Sequence, residues 1–147
     1  MAKKTVDQQL RFTWQSVSKM YSEEAAKEGG SMAIGFALLS LNPKKGIPST
    51  SLGPSMGMES TSLSRTLNSM EEFELIERVP NPDDGRSVLI KLTKSGIEMR
   101  DLSKSVVMKF NNALLNKIGK ENLNNFFYVL DEINLSLIHI SEPTRRI

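Results

Sequence analysis

The stretch DDGRSVLIKLTKSG, residues 83–96, decides the fold that this sequence predicts. Its first three residues are turn formers and predict a tight polar turn. Residues 88–92 are largely apolar and suit a short strand, although they do not alternate cleanly. Thr93 is a helix-capping residue, so a helix is expected to begin at Lys94. The stretch therefore predicts a hairpin with one arginine, Arg86, at its tip, and then a helix.

Hydrophobic periodicity and breakers predict the elements on either side of this hairpin. Ser31 caps a short and almost wholly apolar helix, and Gly57 forms the turn between two later helices. Pro54 lies awkwardly inside the first of those two. The breaker-rich residues 42–48 are expected to be a connector. The predicted helices are residues 7–27, 32–41, 49–56, 60–73, 94–117 and 121 onward, and the other predicted strand is 75–79.

Size and composition limit the classes of protein that fit. The chain has 147 residues, which suits a single domain, residues 1–147, with its own core. It has no run of about 18 apolar residues and no apolar signal core after its first residues, so we expect a cytoplasmic protein without a membrane span. Because the sequence contains no cysteine, it excludes disulfides, zinc–thiolate sites and thiol redox sensors.

The sequence gives almost no indication of an enzyme. The one histidine, His139, lies near the end of the chain, and the adjacent acidic pairs are explained by a turn and by a solvated helix face. No phosphate-binding glycine loop or metal-ligand cluster is present in the sequence. We therefore expect no catalysis, no metal and no cofactor.

The helix predicted at residues 60–73 carries the features that indicate DNA binding. Leu63, Leu67 and Met70 form its inward face at spacings of four and three. Small hydroxyl side chains at a helix start allow close approach to base edges, and an arginine one turn later can bind a guanine or a phosphate. The candidate DNA-binding residues on this helix are Ser60, Thr61, Ser62, Ser64, Arg65 and Asn68. Taken alone, the serines and threonine are equally explained as residues that start a helix.

The hairpin adds a second candidate contact with DNA. Arg86 at its tip suits a narrow minor groove, where the negative potential is enhanced, and we expect Asp84 to orient it by a charge-assisted hydrogen bond. The competing interpretation is a solvated surface ion pair. Lys44 and Lys45, in the connector, are equally consistent with phosphate contacts and with a solvated loop.

Together these segments resemble the MarR family of bacterial transcriptional regulators. The similarity is carried by MGMESTSLSRTLNSMEEFELIERV and NPDDGRSVLIKLTKSG, and the flanking helices agree with the family in number and order. The family's wing motif has Asp, one residue, Arg, then a strand that ends in Leu-Thr with Gly three residues later. The matching positions here are Asp84, Arg86, Leu92, Thr93 and Gly96.

The resemblance implies a mostly α-helical winged helix-turn-helix with a β-hairpin wing and an all-helical dimerisation region. Residues 31–96 would form the DNA-binding lobe, and residues 7–28 and 97–138 the dimerisation helices. A homodimer would insert two recognition helices into successive major grooves, roughly 34–36 Å apart, and so bind a near-palindromic operator. Such regulators often hold a small apolar or phenolic effector; the candidate wall residues here are Trp14, Tyr21, Met32, Phe36 and Phe110.

Three features depart from the family pattern or from the rest of the chain. Glu74 occupies the helix end where the family usually has Gly, and a left-handed residue there would cost about 1 kcal/mol. Phe73 takes a position that is often charged. The composition changes abruptly at the end of the chain, which suggests the hypothesis that residues 136–147 are not native.

The sequence thus predicts a sequence-specific duplex-DNA-binding transcriptional regulator of the MarR type, a repressor released by a small ligand. The alternative is a winged helix that contacts other proteins and has no role in DNA binding. The charge of residues 57–96 slightly favours that alternative, because five basic residues against seven acidic ones leave a net charge of −2. The whole chain has a formal charge of +2, which discriminates little.

Overall fold

The computed structural model describes residues 3–145, with side chains described for residues 3–139. The prediction of a mostly α-helical winged helix-turn-helix with a small hairpin wing is confirmed. The elements in chain order are α1 Val6–Lys27, α2 Met32–Ser40, β1 Ile47–Pro48, α3 Ser49–Met56, α4 Ser60–Glu72, β2 Ile76–Pro80, β3 Val88–Leu92, α5 Lys94–Ile118 and α6 Lys120–Arg145.

The chain divides into two compact units, residues 1–106 and 107–147, and the boundary falls within α5. The expected end of the DNA-binding lobe at residue 96 stays a prediction. In the second unit α6 runs from Lys120 to Arg145, and the assignment of residues 97–138 to dimerisation helices stays a prediction. The hypothesis that residues 136–147 are not native is untested, and residues 146 and 147 lie outside the described residues. No helix in the described part of the chain is both long enough and apolar enough to cross a membrane.

The core of the first unit lies between α2, α3, α4 and the sheet. Leu63, Leu67 and Met70 are buried, so the predicted inward face of α4 is confirmed. The other buried apolar residues are Ile34, Ala37, Leu38, Leu41, Leu52, Leu75, Ile76 and Ile90. Arg100 links α5 to this core, because its Nε donates a hydrogen bond of 3.2 Å to the carbonyl oxygen of Leu41.

The sheet has one strand that the sequence analysis missed. Its order is β1-β3-β2 with antiparallel pairing, and Ile47 of β1 lies opposite Ile90 of β3. The expectation that residues 42–48 form only a connector is therefore wrong for residues 47 and 48, which form β1. Two residues are too few to show a period, and Pro48 has no N–H to donate, which restricts it to an edge strand.

Local capping agrees with the predictions. The Ser31 side chain accepts a hydrogen bond from the backbone N–H of Ile34 at 3.2 Å and so caps α2. Gly57 ends α3 in the left-handed region, with φ of 63°. Pro54 lies inside α3, as expected, and removes one backbone hydrogen-bond donor from that helix.

A junction between α4, β2 and α5 forms around Thr93, and we call Glu74, Leu75, Thr93 and Gly96 the Thr93 junction. The Thr93 hydroxyl donates to the Glu74 carbonyl oxygen at 2.6 Å and accepts from the Gly96 N–H at 3.0 Å. The Thr93 N–H donates to the Leu75 carbonyl oxygen at 3.1 Å. The predicted cap of α5 is thus confirmed, and the same side chain also binds the end of the preceding helix.

Glu74 takes the left-handed conformation that the sequence analysis expected at the end of α4. Its φ is 59°, and among the described residues it is the one non-glycine residue with positive φ. This conformation turns the chain from α4 into β2, which begins two residues later. The strain is tolerated because the Glu74 carbonyl oxygen is bonded by Thr93.

We expect Gly96→Ala to lower the free energy of unfolding by about 3 kcal/mol, the upper end of the cost of overpacking a core. A Cβ atom at this position would overlap the carbonyl oxygen of Leu75, which is backbone and cannot move aside. Urea unfolding followed by circular dichroism measures the change. Gly85→Ala is the control, because a Cβ atom there meets nothing within 4 Å. Equal stability of the two variants would contradict the close approach at Gly96.

We expect Glu74→Gly to raise the free energy of unfolding by about 0.5–1 kcal/mol, since glycine adopts positive φ without a Cβ clash. The same substitution at Glu72, the last residue of α4, relieves no positive φ and should not raise it. Both values come from the same urea titrations. A loss of stability in Glu74→Gly would show that the left-handed conformation carries no strain.

Candidate nucleic-acid interface

The exposed face of α4 carries the predicted recognition residues. With 3.6 residues per turn, Thr61, Arg65, Asn68 and Glu72 lie opposite the buried stripe of this helix. Ser60, Ser62 and Ser64 flank that row, and all of these residues are exposed. Thr61, Arg65 and Asn68 therefore share the side of the helix that faces away from the core, Ser62 and Ser64 lie at its edges, and Ser60 is exposed at the start of the helix.

The start of α4 is open and polar. Its N-cap residue, Glu59, makes no side-chain capping bond, so the first N–H groups of the helix are not capped by it. The left-handed Gly57 reverses the chain immediately before, after α3 has ended at Met56. The serines and threonine of the first turn therefore stand at the exposed end of a helix-turn-helix.

A hydrogen-bonded group connects the exposed face of α4 to β2. Nη2 of Arg78 donates to Oδ1 of Asn68 at 2.9 Å, and Nη1 lies 3.6 Å from Oε1 of Glu71. Sequence reasoning missed Arg78. The two-residue period of a strand could have indicated it, because this period puts Arg78 on the same face of β2 as the buried Ile76.

The wing tip is built from short side-chain contacts to its own backbone. Oδ1 of Asp84 accepts from the backbone N–H of Arg86 at 3.0 Å, and Oδ1 of Asn81 accepts from that of Asp83 at 3.0 Å. Asn81 also donates from Nδ2 to the Ser87 hydroxyl at 2.9 Å. These contacts fix the turn and leave the Arg86 side chain exposed.

The expected contact between the carboxylate of Asp84 and the guanidinium of Arg86 is not the one observed. Among the ion pairs of the described residues, none joins these two side chains. An aspartate oxygen reaches the backbone N–H two residues later with little loss of freedom, and this local bond is the one that forms. Asp84 therefore shapes the turn that carries Arg86.

The two lysines of the connector are held at the backbone only. Oδ1 of Asn42 accepts from the N–H of Lys44 at 2.8 Å and from that of Lys45 at 3.3 Å. Both lysines are exposed. This geometry is compatible with either of the two interpretations that the sequence left open.

The predicted effector residues are only partly brought together. The rings of Tyr21 and Phe36 meet edge to face with centroids 5.6 Å apart, and burial raises the pKa of Tyr21. Met32, also partly buried, begins the helix that carries Phe36, whereas Trp14 on α1 is 52% exposed. Phe110 belongs to the second unit.

One surface cavity of the first unit, of about 420 Å³, involves none of these five residues. Its lining residues are Glu71, Glu74, Ile76, Glu77, Thr93, Lys94 and Ser95. Over the part of the chain that the structure describes, no group of three or more histidine or acidic side chains is arranged to hold a metal ion.

Comparisons with known proteins agree with this geometry. A sequence model described as the MarR family matches residues 31–88. No curated protein is similar enough in sequence to count as a relative.

Solved structures share the fold at low sequence identity. The MepR–DNA complex of S. aureus has a TM-score of 0.83 and 19% identity, over 92% of this chain and 99% of that one. A mutant MarR from E. coli, complexed with operator DNA, has a TM-score of 0.76 and 22% identity, over 87% and 92% of the chains. PcaV of Streptomyces coelicolor, in complex with its natural ligand, has a TM-score of 0.74 and 18% identity, over 91% and 97%.

Proposed function

We propose that the protein is a transcriptional regulator that binds duplex DNA, because its residues 31–88 match the sequence model of the MarR family. In this proposal it acts as a homodimer on a near-palindromic operator, represses transcription and is released by a small ligand. Two of the structures with the same fold, those of MepR and MarR, are complexes with DNA.

The exposed face of α4 is the observation that carries the proposal. Thr61, Arg65 and Asn68 point away from the core along one row, and the side chains at the helix start are small. A helix of this kind fits the major groove, where arginine, asparagine and hydroxyl side chains can bond base edges or phosphates. Ser60, Ser62 and Ser64 contribute at the flanks of the row.

The wing supplies the second contact in this proposal. Arg86 is exposed on a turn that Asp84 and Asn81 stiffen, so its guanidinium can enter a narrow minor groove without first ordering the loop. Asp84 acts through the backbone of the turn and not as a contact of its own. Lys44 and Lys45 are further candidates for phosphate contacts.

Exposed apolar side chains on the helices outside the winged helix support a homodimer. α1 contains no buried residue, and Phe126 and Phe127 of α6 remain 48% and 52% exposed. Apolar surface of this extent is unusual for a monomer and is typical of an interface. The large hydrophobic residues exposed on α1, α5 and α6 are Val6, Leu10, Phe12, Trp14, Leu102, Met108, Leu115, Ile118, Phe126, Phe127, Tyr128, Val129, Leu135, Leu137 and Ile138.

For the effector, the contact between Tyr21 and Phe36 is the part of the predicted set that the geometry supports. A partly buried tyrosine next to a phenylalanine offers an aromatic wall with one polar group, which suits a phenolic or small apolar ligand. Met32, Trp14 and Phe110 stay predictions as ligand contacts.

A winged helix that only contacts proteins is the second candidate function. The acidic residues Glu59, Glu71 and Glu72, at the two ends of α4, favour it, because carboxylates repel phosphates. The two functions differ in their response to salt: binding to DNA phosphates weakens steeply as salt rises, whereas an apolar protein contact changes far less.

Selection of bound fragments from a random DNA pool tests the proposed function. We expect enrichment of a near-palindromic sequence whose half-sites are about one helical turn apart. Circular dichroism and a cooperative unfolding transition establish that the purified protein is folded. Folded protein that enriches no sequence would overturn the proposal.

We expect Arg86→Ala to weaken binding to the selected DNA about tenfold, which corresponds to about 1.4 kcal/mol, and to leave the stability unchanged. The substitution removes an exposed side chain and no core contact. Fluorescence anisotropy at moderate salt measures the affinity. Arg11→Ala, at a surface ion pair on α1, removes the same charge and should have little effect. Wild-type affinity in Arg86→Ala would refute the role of the wing.

We expect Phe126→Gln to lower the fraction of dimer, the melting temperature and the DNA affinity together, because one chain alone spans only a half-site. Leu130→Gln should act in the same direction. Tyr128→Gln is the matched control, since helix geometry puts Tyr128 on the opposite face of α6. Sedimentation over a range of concentrations measures the association. A Phe126→Gln variant that is monomeric and binds DNA with full affinity would exclude the dimer mechanism.

A further inference from the structure

We propose that Arg78 determines base specificity indirectly, by fixing the side-chain amide of Asn68 so that it offers hydrogen-bond donors to the major groove. This inference rests on the proposed function. Arg78 lies on β2, outside the recognition helix. The assigned preference is for a guanine at the base pair that Asn68 faces.

The orientation of the Asn68 amide follows from the chemistry of its partner. A guanidinium has five N–H donors and no acceptor, so only Oδ1 of Asn68 can face Nη2 of Arg78. The distance between these atoms is 2.9 Å. The NH2 group of Asn68 must then point the other way, and no residue in the described part of the chain accepts a hydrogen bond from it.

Arg78 is itself held in place from two sides. Its Nη1 lies 3.6 Å from Oε1 of Glu71, one helical turn after Asn68, and its side chain is only 32% exposed. Its backbone is paired with the fully buried Ile90 of β3. A guanidinium anchored in this way imposes its geometry on the exposed amide of Asn68.

The neighbouring carboxylate argues against a direct phosphate contact by Arg78. Glu71 largely balances the positive charge of Arg78, and both guanidinium nitrogens at the end of the fork are already engaged. Phosphate binding depends on a cation that can replace condensed counterions. Arg78 is therefore assigned as a positioning residue.

Because Oδ1 of Asn68 is engaged by Arg78, the base that Asn68 can recognise changes. An asparagine with both amide atoms free bonds adenine through Oδ1 and Nδ2 together, because adenine presents a donor and an acceptor in the major groove. Guanine presents two acceptors, N7 and O6, and no donor at its own edge. With Oδ1 engaged by Arg78, the remaining donors of Asn68 match guanine better than adenine.

The test compares the affinities of variants for a set of selected operators that differ at single base pairs. Asn68→Ala first identifies the base pair that Asn68 reads, as the one at which discrimination is lost. Arg78→Met keeps the length of the side chain and removes its donors. Arg78→Lys keeps a donor-only group next to Asn68. Lys27→Met is the control, because it removes one charge and one hydrogen-bonded ion pair, to Glu24, on α1.

We expect wild type and Lys27→Met to prefer guanine to adenine at that base pair by about tenfold, the lower part of the range for a good base contact. Arg78→Met should reduce the preference at least fivefold, and Arg78→Lys should restore most of it. In the Asn68→Ala background, Arg78→Met should change discrimination no further. The slope of log affinity against log salt should stay the same in Arg78→Met.

Several results would overturn the inference. They are an unchanged guanine preference in Arg78→Met, a wild-type preference for adenine, and a salt slope that falls by about one, which is the signature of a lost phosphate contact. An equal loss in Arg78→Lys would assign the effect to packing. If wild type discriminates among operators and the Arg78 variants show the same base preferences, the inference fails and the proposed function stands. If folded wild type prefers no DNA sequence, both the inference and the proposed function fail.

Discussion

The hydrogen bond from the Thr93 hydroxyl to the Glu74 carbonyl oxygen is the constraint on which the winged helix depends. It joins the end of α4 to the start of α5 at the point where the chain enters β2. The close approach of Gly96 to Leu75 leaves no space for a side chain, so α5 packs directly against the backbone that follows α4. The direction of α4 and the root of the wing are therefore set by one small junction. Since the candidate DNA contacts lie on α4 and on the wing, their spacing depends on it.

Most of the fold was predictable because its signals are local. The stripe of Leu63, Leu67 and Met70 identified the buried face of α4, and Thr93 identified the start of α5. Glu74 was recognisable as a left-handed residue because the family that the sequence resembles usually has Gly at this helix end. β1 escaped prediction, since a strand of two residues has no period and its identity depends entirely on a partner more than 40 residues away.

The candidate site was predictable as a set of exposed residues and not as a set of contacts. The row on α4 followed from spacing alone, and its exposure agrees. The hydrogen-bond partners of these residues could not be predicted from spacing. Such bonds join residues that are distant in the sequence, or a side chain bonds to the backbone instead of to another side chain. Arg78 reaches Asn68 across ten positions, and Asp84 bonds a backbone N–H in preference to the guanidinium of Arg86. A periodicity argument identifies which face a residue occupies, whereas the state of each polar atom depends on three-dimensional neighbours.

The composition of the sheet's two outer strands bears on how copies of the protein can associate. β1 has two residues and ends in Pro48, and β2 carries Glu77 and Arg78 before it ends in Pro80. Short strands, charges and prolines at a sheet margin oppose the addition of a strand from another molecule. Growth of the sheet across molecules, which leads to fibrous aggregates, is therefore disfavoured at both margins. In the proposed homodimer, association would therefore use helical surfaces, where side-chain packing sets a definite number of subunits.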